Sequence, residues 1–164
     1  MNNIINEIRK KQDEIILMVN SSFEEIIRRV SELNEQDIME INDYEMSHPI
    51  TNTAGFKGKK VIAVSLDERR EVAPTWKKAV EKILKEVMKD DEMKKRIYNL
   101  RNKLLGRTRT RLSSTSDEMR SPLKLDENLY IETHYDTETL MKLLLQILNE
   151  ISYDYSKIKI VIKN

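Results

Sequence analysis

The chain of 164 residues contains no cysteine, only three glycines and only two histidines. Without cysteine it can form neither a disulfide framework nor a thiolate metal site, and a reducing compartment suits it. The glycine-rich loops that bind dinucleotides or nucleotide phosphates are missing, and so is the HExxH zinc motif. The sequence therefore shows none of the common signatures of nucleotide-dependent or zinc-dependent enzymes.

Long apolar runs are also missing. No stretch approaches the roughly 18 residues that can span a bilayer. The start, MNNIINEIRKKQDE, lacks the apolar core and the small-residue cleavage site of a signal peptide. We therefore expect a cytoplasmic location, with no membrane partner.

What the chain does contain is charge, which makes up 35% of its residues and is unevenly distributed. Residues 1–50 include five bases and eleven acids, whereas residues 94–124 include ten bases and two acids. Within the basic segment, Arg107, Arg109 and Arg111 of GRTRTRLS alternate, so in a strand they would project from one face. Guanidinium groups bind phosphates and carboxylates bidentately, so this arginine ladder predicts a binding surface. The alternative is an edge strand whose charges only prevent aggregation.

Neighbouring cations extend the predicted surface, and its partner is expected to be nucleic acid or a nucleoprotein. The expected binding residues are Arg101, Lys103, Arg107, Arg109, Arg111, Arg120 and Lys124. No helix-turn-helix, zinc finger or RNP motif is visible, so sequence-specific base recognition has no positive support. Phosphate contacts would instead make the affinity depend on salt.

Residues 1–46 are expected to form a helical arm. Apolar residues recur there at the alternating spacing of three and four that is typical of a coiled-coil seam. The seam residues, expected at a homodimer interface, are Ile16, Val19, Phe23, Ile26, Val30 and Leu33. Because Arg9 and Gln12 interrupt the stripe, packing of an amphipathic helix on its own domain is a second possibility. A capping box of Ser22 with Glu25 would allow a third, a hairpin of two helices.

The remainder is expected to be one α+β unit. Residues 47–60 contain Pro49, Gly55 and Gly58 and are interpreted as a linker, and residues 61–164 as the binding domain. The predicted order after the arm is β-β-α-α-β-β-β-α-β, with helices capped by Thr75 and Asp136 and a further helix after Asp90-Asp91 that stops at Gly106. The expected fold is thus a coiled-coil-like arm followed by a small domain with a mainly antiparallel sheet and three helices.

One set of residues has metal-ligand chemistry. Glu132, His134 and Asp136 alternate along a predicted strand and could offer two carboxylates and an imidazole to a divalent ion. We favour structural roles: Asp136 as a helix cap, Glu132 as the cross-strand partner of an arginine in the ladder, and His134 as an ordinary strand residue. We therefore expect no cofactor and no catalytic residue, with a metal-dependent enzyme as the minor alternative.

The run GRTRTRLSSTSDEMRSPLKLDENLYIETHYDTETLMKLLLQILNEISYDYSKIKIVI, with TWKKAVEKIL upstream, resembles a C-terminal module of poorly characterised proteins from Firmicutes and their phages, plasmids and integrative elements. The likeness extends over residues 57–164 and rests on the GRTR ladder, on Met119, Arg120 and Pro122, and on LYIETHYDTETL. It implies an accessory protein of mobile DNA that acts in the cytoplasm of a bacterial host cell. That class includes repressors, partition factors and inhibitors of CRISPR nucleases, and the resemblance brings no catalytic residues.

The expected function is therefore non-enzymatic. Its most specific form is inhibition of a CRISPR effector nuclease (an anti-CRISPR protein), by analogy with small, charge-polarised inhibitors of that kind. The alternative is a DNA-binding transcriptional regulator of the element itself.

Overall fold

The computed structural model describes residues 2–31, 45–104, 106 and 110–163. The chain divides into two units, Met1–Asp43 and Tyr44–Asn164. A long helix precedes antiparallel sheets and helices, so the α+β class expected from the sequence is confirmed. None of the helices in the described ranges is long and apolar enough to cross a membrane.

In the first unit the described residues form one continuous helix, α1 (Asn2–Ser31). The hairpin alternative is wrong, because the helix continues without a break through Ser22. The Ser22 hydroxyl donates a hydrogen bond to the carbonyl of Met18 one turn back, at 3.0 Å. Glu25 binds Arg29 at 2.8 Å instead of closing a capping box. Every side chain from residue 4 to residue 29 is exposed, including the seam residues Ile16, Val19, Phe23 and Ile26. The side chain of Val30 and the whole of Leu33 lie outside the described residues.

The described residues of the second unit form seven strands, three α-helices and a short 3-10 turn, Ala54–Phe56. The strands are β1 (Glu45–Pro49), β2 (Lys60–Leu66), β3 (Arg69–Val72), β4 (Leu112–Ser113), β5 (Pro122–Asp126), β6 (Leu129–Glu132) and β7 (Ile158–Lys163). The helices are α2 (Trp76–Val87), α3 (Asp91–Asn99) and α4 (Thr137–Glu150). Two antiparallel sheets form, a larger one in the order β1-β7-β2-β3 and a smaller one in the order β4-β6-β5.

Alternation along the strands determines which face of each sheet is buried. In the larger sheet Val64 lies opposite Ile160 and Leu66 opposite Ile158, and all four are buried. The apolar faces of α2 and α4 complete one core cluster with these strands and with the smaller sheet. Burial of this aliphatic surface is the main force that stabilises the unit.

Residues 47–60, predicted as a linker, lie inside the second unit. β1 pairs along its whole length with β7, and Phe56 is fully buried with its ring centroid 5.2 Å from that of Trp76. The prediction failed because Pro49 ends an edge strand, where a missing N–H costs little. Gly58, with φ 73°, serves a turn between packed segments and does not mark a boundary between domains.

The helix caps were predicted more accurately than the helix ends. Thr75, Asp90 and Asp136 each accept hydrogen bonds from backbone N–H groups in the first turn of α2, α3 and α4. Gly106, however, does not stop α3, which ends at Asn99. The left-handed residue is Asn102, with φ 61°, and its N–H donates to the carbonyl of Leu112 at 2.8 Å.

Candidate nucleic-acid or partner interface

The described arginine of the predicted ladder, Arg111, does not lie in a strand. β4 begins only at Leu112, and Arg107 and Arg109 lie outside the described residues. Arg111 is half-buried, with its backbone bonded to Leu104 and Glu132 and its Nη1 donating to Gln146 Oε1 of α4 at 3.1 Å. Its Nε is buried with no hydrogen-bond partner in the described part of the chain. The structure therefore corrects the prediction for Arg111, whose side chain is built into the fold.

Arg101 is also held by the fold, but at the surface. Its Nε donates to the carbonyl of Tyr98 at 3.0 Å and its Nη1 to the carbonyl of Asn128 at 3.0 Å. The guanidinium carbon lies 4.6 Å from the centroid of the Tyr98 ring, a cation–π contact. These contacts hold Arg101 beside the β5–β6 turn with part of the guanidinium accessible.

The same turn is bound by another cation, Lys94 of α3. Lys94 forms an ion pair with Asp126 at 2.5 Å and lies 6.0 Å from the centroid of the Tyr98 ring. The Lys94 ammonium, the N–H of Glu127 and the Tyr98 hydroxyl lower the pKa of Asp126 to about 2. An ionised Asp126 therefore joins α3 to the hairpin of β5 and β6.

Glu132 is the most buried charged group of the described region, at 2% exposure. Its carboxylate accepts four backbone N–H bonds, from Arg120 at 2.7 Å, Ser121 at 3.0 Å, Thr133 at 2.9 Å and His134 at 2.8 Å. Burial alone would raise the pKa of Glu132, but the four donors outweigh it and the pKa lies below its ordinary value. Glu132 is thus a structural anchor for the loop that precedes β5, and its partners among the described residues include no arginine side chain.

Hydroxyl groups and a lysine reinforce this anchor. The Thr133 hydroxyl donates to the carbonyl of Ser121 at 2.6 Å, and the two hydroxyls are 3.0 Å apart. Lys77 of α2 donates to the Ser121 hydroxyl at 3.2 Å and to the carbonyl of Pro122 at 3.1 Å. The backbone of Arg120 and of the two residues after it is therefore tied to β6 and α2, an arrangement that sequence patterns did not indicate.

Three of the predicted cations, Lys103, Arg120 and Lys124, are exposed. None of the three pairs with an acidic side chain among the residues that the structure describes. Lys124 lies opposite Tyr130, which lies opposite Ser113, in a row across the smaller sheet. The next row is buried, so Lys124 and Tyr130 belong to the outward face. A cation beside an aromatic ring is the combination with which many proteins bind single-stranded nucleic acid.

The larger sheet carries a second group of cations that was not predicted as a site. Its outward face, defined by the register of the strands, includes Lys60, Arg70, Lys159 and Lys163. Arg70 crosses this face to bind Glu45 with two hydrogen bonds of 2.7 and 3.1 Å. The alternation of lysines with apolar residues in β7 was the available signal, but only the strand order shows that these cations share one face.

The residues with metal-ligand chemistry do not converge. The carboxylate oxygens of Glu132 accept hydrogen bonds from backbone N–H groups. Asp136 caps α4 by accepting a hydrogen bond from the N–H of Thr139 at 3.0 Å, and His134 is exposed. Across the described ranges no three His, Asp or Glu side chains are grouped so as to hold a metal ion.

Comparison with known proteins returned no matching family model, no matching curated protein and no matching solved structure. The resemblance of residues 57–164 to proteins of mobile elements therefore remains an expectation from the sequence.

Proposed function

We propose that this chain is a non-enzymatic accessory protein of a phage or mobile element that binds nucleic acid or a nucleoprotein. Its basic surface comprises Arg101, Lys103, Arg120, Lys124 and Tyr130. The observation that carries the proposal is that Lys103, Arg120 and Lys124 are exposed without an acidic partner among the described residues. When exposed, unpaired cations bind the phosphates of a nucleic acid, the counterions condensed on that nucleic acid are released. This release favours binding.

The rigidity of the surroundings supports this role. Lys124 is on a strand, the backbone of Arg120 is bonded to Glu132, and Arg101 is held by carbonyls and by the Tyr98 ring. A backbone that is already ordered loses little conformational entropy on binding. The surface is therefore better suited to a defined partner than a flexible basic tail would be.

The most specific form of the proposal is inhibition of a CRISPR effector nuclease. A guide-loaded effector presents RNA and DNA phosphates alongside a positively charged channel. The chain has both charge signs to match these surfaces, since residues 94–124 are strongly basic and residues 1–50 strongly acidic. The alternative is a regulator that binds the DNA of its own element without an effector.

We also propose that the protein is a homodimer assembled through α1. The seam residues with described side chains are 46 to 60% exposed, although they are apolar and recur at coiled-coil spacing. An apolar stripe of this length is unfavourable in water and is normally covered by a partner. Gel filtration with light scattering measures this directly, and a monomeric mass would contradict it.

The binding proposal is tested with one variant and a matched control. The variant K103A/R120A/K124A removes three cations from the basic surface, and the α2 control K78A/K85A/K89A removes three exposed lysines, two in α2 and one just after it. Both lose the same charge, so a general electrostatic effect would appear equally in the two. Each protein is added to a panel of guide-loaded effectors, and cleavage of target DNA is measured.

We expect the unmodified protein and the α2 control to inhibit one of the effectors and the K103A/R120A/K124A variant to lose most of that inhibition. Failure to inhibit any effector, together with binding to its own promoter as free duplex, would favour the regulator. Equal activity of both variants in every assay would overturn the role of the basic surface.

A further inference from the structure

A polar cavity lies at the margin of the basic surface. Its volume is about 320 Å³, and its lining is rich in hydroxyl groups, which belong to Thr110, Ser113, Ser114 and Thr115. Ligand pockets usually measure roughly 300–1,000 Å³ and are mostly apolar. This cavity is therefore large enough for one small ligand group, and its lining favours a polar one.

The loop that forms much of the cavity wall, residues 113–119, is ordered by its own hydrogen bonds. The N–H of Thr115 donates to the Ser113 hydroxyl at 3.2 Å, and the N–H of Met119 donates to the carbonyl of Ser116 at 3.0 Å. A wall that is already ordered loses little conformational entropy when a ligand binds. The cavity is thus formed before any ligand arrives.

Two acids determine what can enter the cavity. Asp117 and Glu118 line it, and neither they nor Ser114 forms a side-chain hydrogen bond or ion pair with another residue that the structure describes. Ionised carboxylates only accept hydrogen bonds, so they favour a ligand that donates them. A phosphate inside the cavity would be repelled by both carboxylates. The cavity therefore suits a neutral group with N–H or O–H donors.

Two cations flank the same cavity. Lys103 directly follows the lining residue Asn102, and its Cα is therefore about 3.8 Å from the Cα of that residue. Arg120 follows the lining residue Met119 in the same way. Both cations are exposed, and they disfavour a free metal ion beside them. A ligand with a phosphate at these cations and a neutral donor group in the cavity matches both features.

The outward face of the smaller sheet begins at the cavity wall. Ser113 lies opposite Tyr130, and Tyr130 lies opposite Lys124. Neighbouring strands are about 4.8 Å apart, so Tyr130 is one strand away from the wall and Lys124 two strands away. An aromatic ring in that position can stack a base next to the one in the cavity.

We propose that the cavity binds the base of one unpaired nucleotide, with the adjoining phosphate at Lys103 or Arg120. The inference rests on the proposed binding to nucleic acid and specifies what is recognised. Asp117 and Glu118 accept hydrogen bonds from the exocyclic amino group of cytosine, adenine or guanine, which thymine and uracil lack. The nucleotide is unpaired because a base can enter a cavity only when it is free of its duplex. The basic surface thus distinguishes bases as well as binding phosphates.

The test compares single-stranded oligonucleotides that differ at one position. Fluorescence anisotropy at low salt measures binding to an oligothymidylate and to the same strand with one central thymidine replaced by deoxycytidine, deoxyadenosine or deoxyguanosine. We expect at least one substituted strand to bind about tenfold more tightly than the oligothymidylate.

A pair of variants with equal charge change separates recognition from electrostatics. D117A/E118A removes the two acids of the cavity, and E68A/E127A removes two exposed acids outside its lining. We expect D117A/E118A to bind the oligothymidylate at least as tightly as the unmodified protein does, because two repulsive charges are gone. The same variant should lose the preference for the amino-bearing base, whereas E68A/E127A should keep it.

The outcomes distinguish the cavity from the basic surface. Equal affinity for all strands, or a preference that survives D117A/E118A, would overturn the assignment of the cavity. If that equal affinity fell with salt and in K103A/R120A/K124A, the proposed binding to phosphates would still stand. The absence of binding to every strand would overturn the inference, and the effector assays would then decide the proposed function separately.

NMR locates the bound base without relying on a variant. Amide signals of residues 113–119 should shift with the preferred strand and much less with the oligothymidylate. Shifts confined to α2 or to the larger sheet would place the base elsewhere and contradict the inference.

Discussion

The backbone N–H of Arg120 donates a hydrogen bond of 2.7 Å to the carboxylate of Glu132. Arg120 is an exposed cation of the basic surface, whereas Glu132 is one of the most buried residues of β6. A charged group in the interior thus positions the backbone of a residue proposed to bind the partner, which connects the stability of the smaller sheet to the proposed function.

Substituting Glu132 should therefore destabilise the protein strongly. In Glu132→Gln, one amide group replaces a carboxylate that satisfies four backbone donors, and the amide N–H₂ must face other donors. We expect the free energy of unfolding to fall by about 3 kcal/mol, measured by urea denaturation. The control Glu127→Gln changes an exposed acid in the adjoining turn and should alter stability by less than about 0.5 kcal/mol. Equal behaviour of the two variants would contradict the anchoring role.

The contribution of Glu132 should depend on pH in a defined direction. Its pKa in the folded protein lies below the ordinary value of 4.5, because the backbone donors outweigh burial. A lowered folded-state pKa means that the stabilisation is complete above the unfolded-state pKa and is lost as the pH falls through the folded one. The stability difference between the unmodified protein and Glu132→Gln should accordingly shrink below about pH 4.5. A difference that stays constant down to acid unfolding would show that ionisation of Glu132 is irrelevant.

The ion pair of Lys94 with Asp126 gives a prediction that NMR can test. The pKa of Asp126 is lowered to about 2, with the Lys94 ammonium as the largest cause. In Lys94→Met we expect the pKa of Asp126 to rise towards its ordinary value of 3.8, as followed by the carboxyl ¹³C shift. Lys95→Met removes the neighbouring charge and should leave that pKa nearly unchanged. If both variants moved it equally, general charge density and not the ion pair would be its cause.

Arg111 should behave differently from the exposed cations. Its half-buried guanidinium binds Gln146 of α4, so Arg111→Ala should lower the free energy of unfolding by about 1–2 kcal/mol. Lys124→Ala removes an exposed side chain and should change stability by less than about 0.5 kcal/mol while weakening partner binding. Urea denaturation and binding assays on the two variants separate these roles. If Arg111→Ala weakened the affinity for the partner and left the free energy of unfolding unchanged, Arg111 would have a binding role and not a structural one.

The corrected position of residues 47–60 also has a measurable consequence. Phe56 is fully buried against Trp76, so Phe56→Ala should cost about 4 kcal/mol of unfolding free energy. The control Val72→Ala truncates a side chain that is 69% exposed on an edge strand. A loss for Phe56→Ala no larger than that for the control would mean that the segment is a linker after all.

The parts of the fold that were predicted correctly depend on local sequence. Thr75 and Asp136 were expected as caps because each is a short polar residue directly before an amphipathic helix. The hairpin of β5 and β6 was expected because polar turn residues separate two apolar runs. Such signals act within a few residues, and tertiary contacts did not override them.

The errors arose where distant segments meet. The pairing of β1 with β7 joins parts of the chain that are far apart in sequence, so the proline and glycines nearby looked like a linker. Arg111 appeared to be an outward cation because nothing local indicates that Gln146 of α4 lies beside it. The same holds for Glu132, since a carboxylate bound by backbone N–H groups has no pattern in the side chains around it.

The central claim is that Lys103, Arg120 and Lys124 contact the phosphates or acidic groups of a partner. It is tested most directly by fluorescence anisotropy with short duplex DNA and with a guide-loaded CRISPR effector, each at low and moderate salt. We expect at least one of the two to bind the protein, with an affinity that falls as salt rises, and we expect K103A/R120A/K124A to bind at least about tenfold more weakly than K78A/K85A/K89A. Binding that is equal for the two variants, or the absence of binding to either partner at low salt, would contradict it.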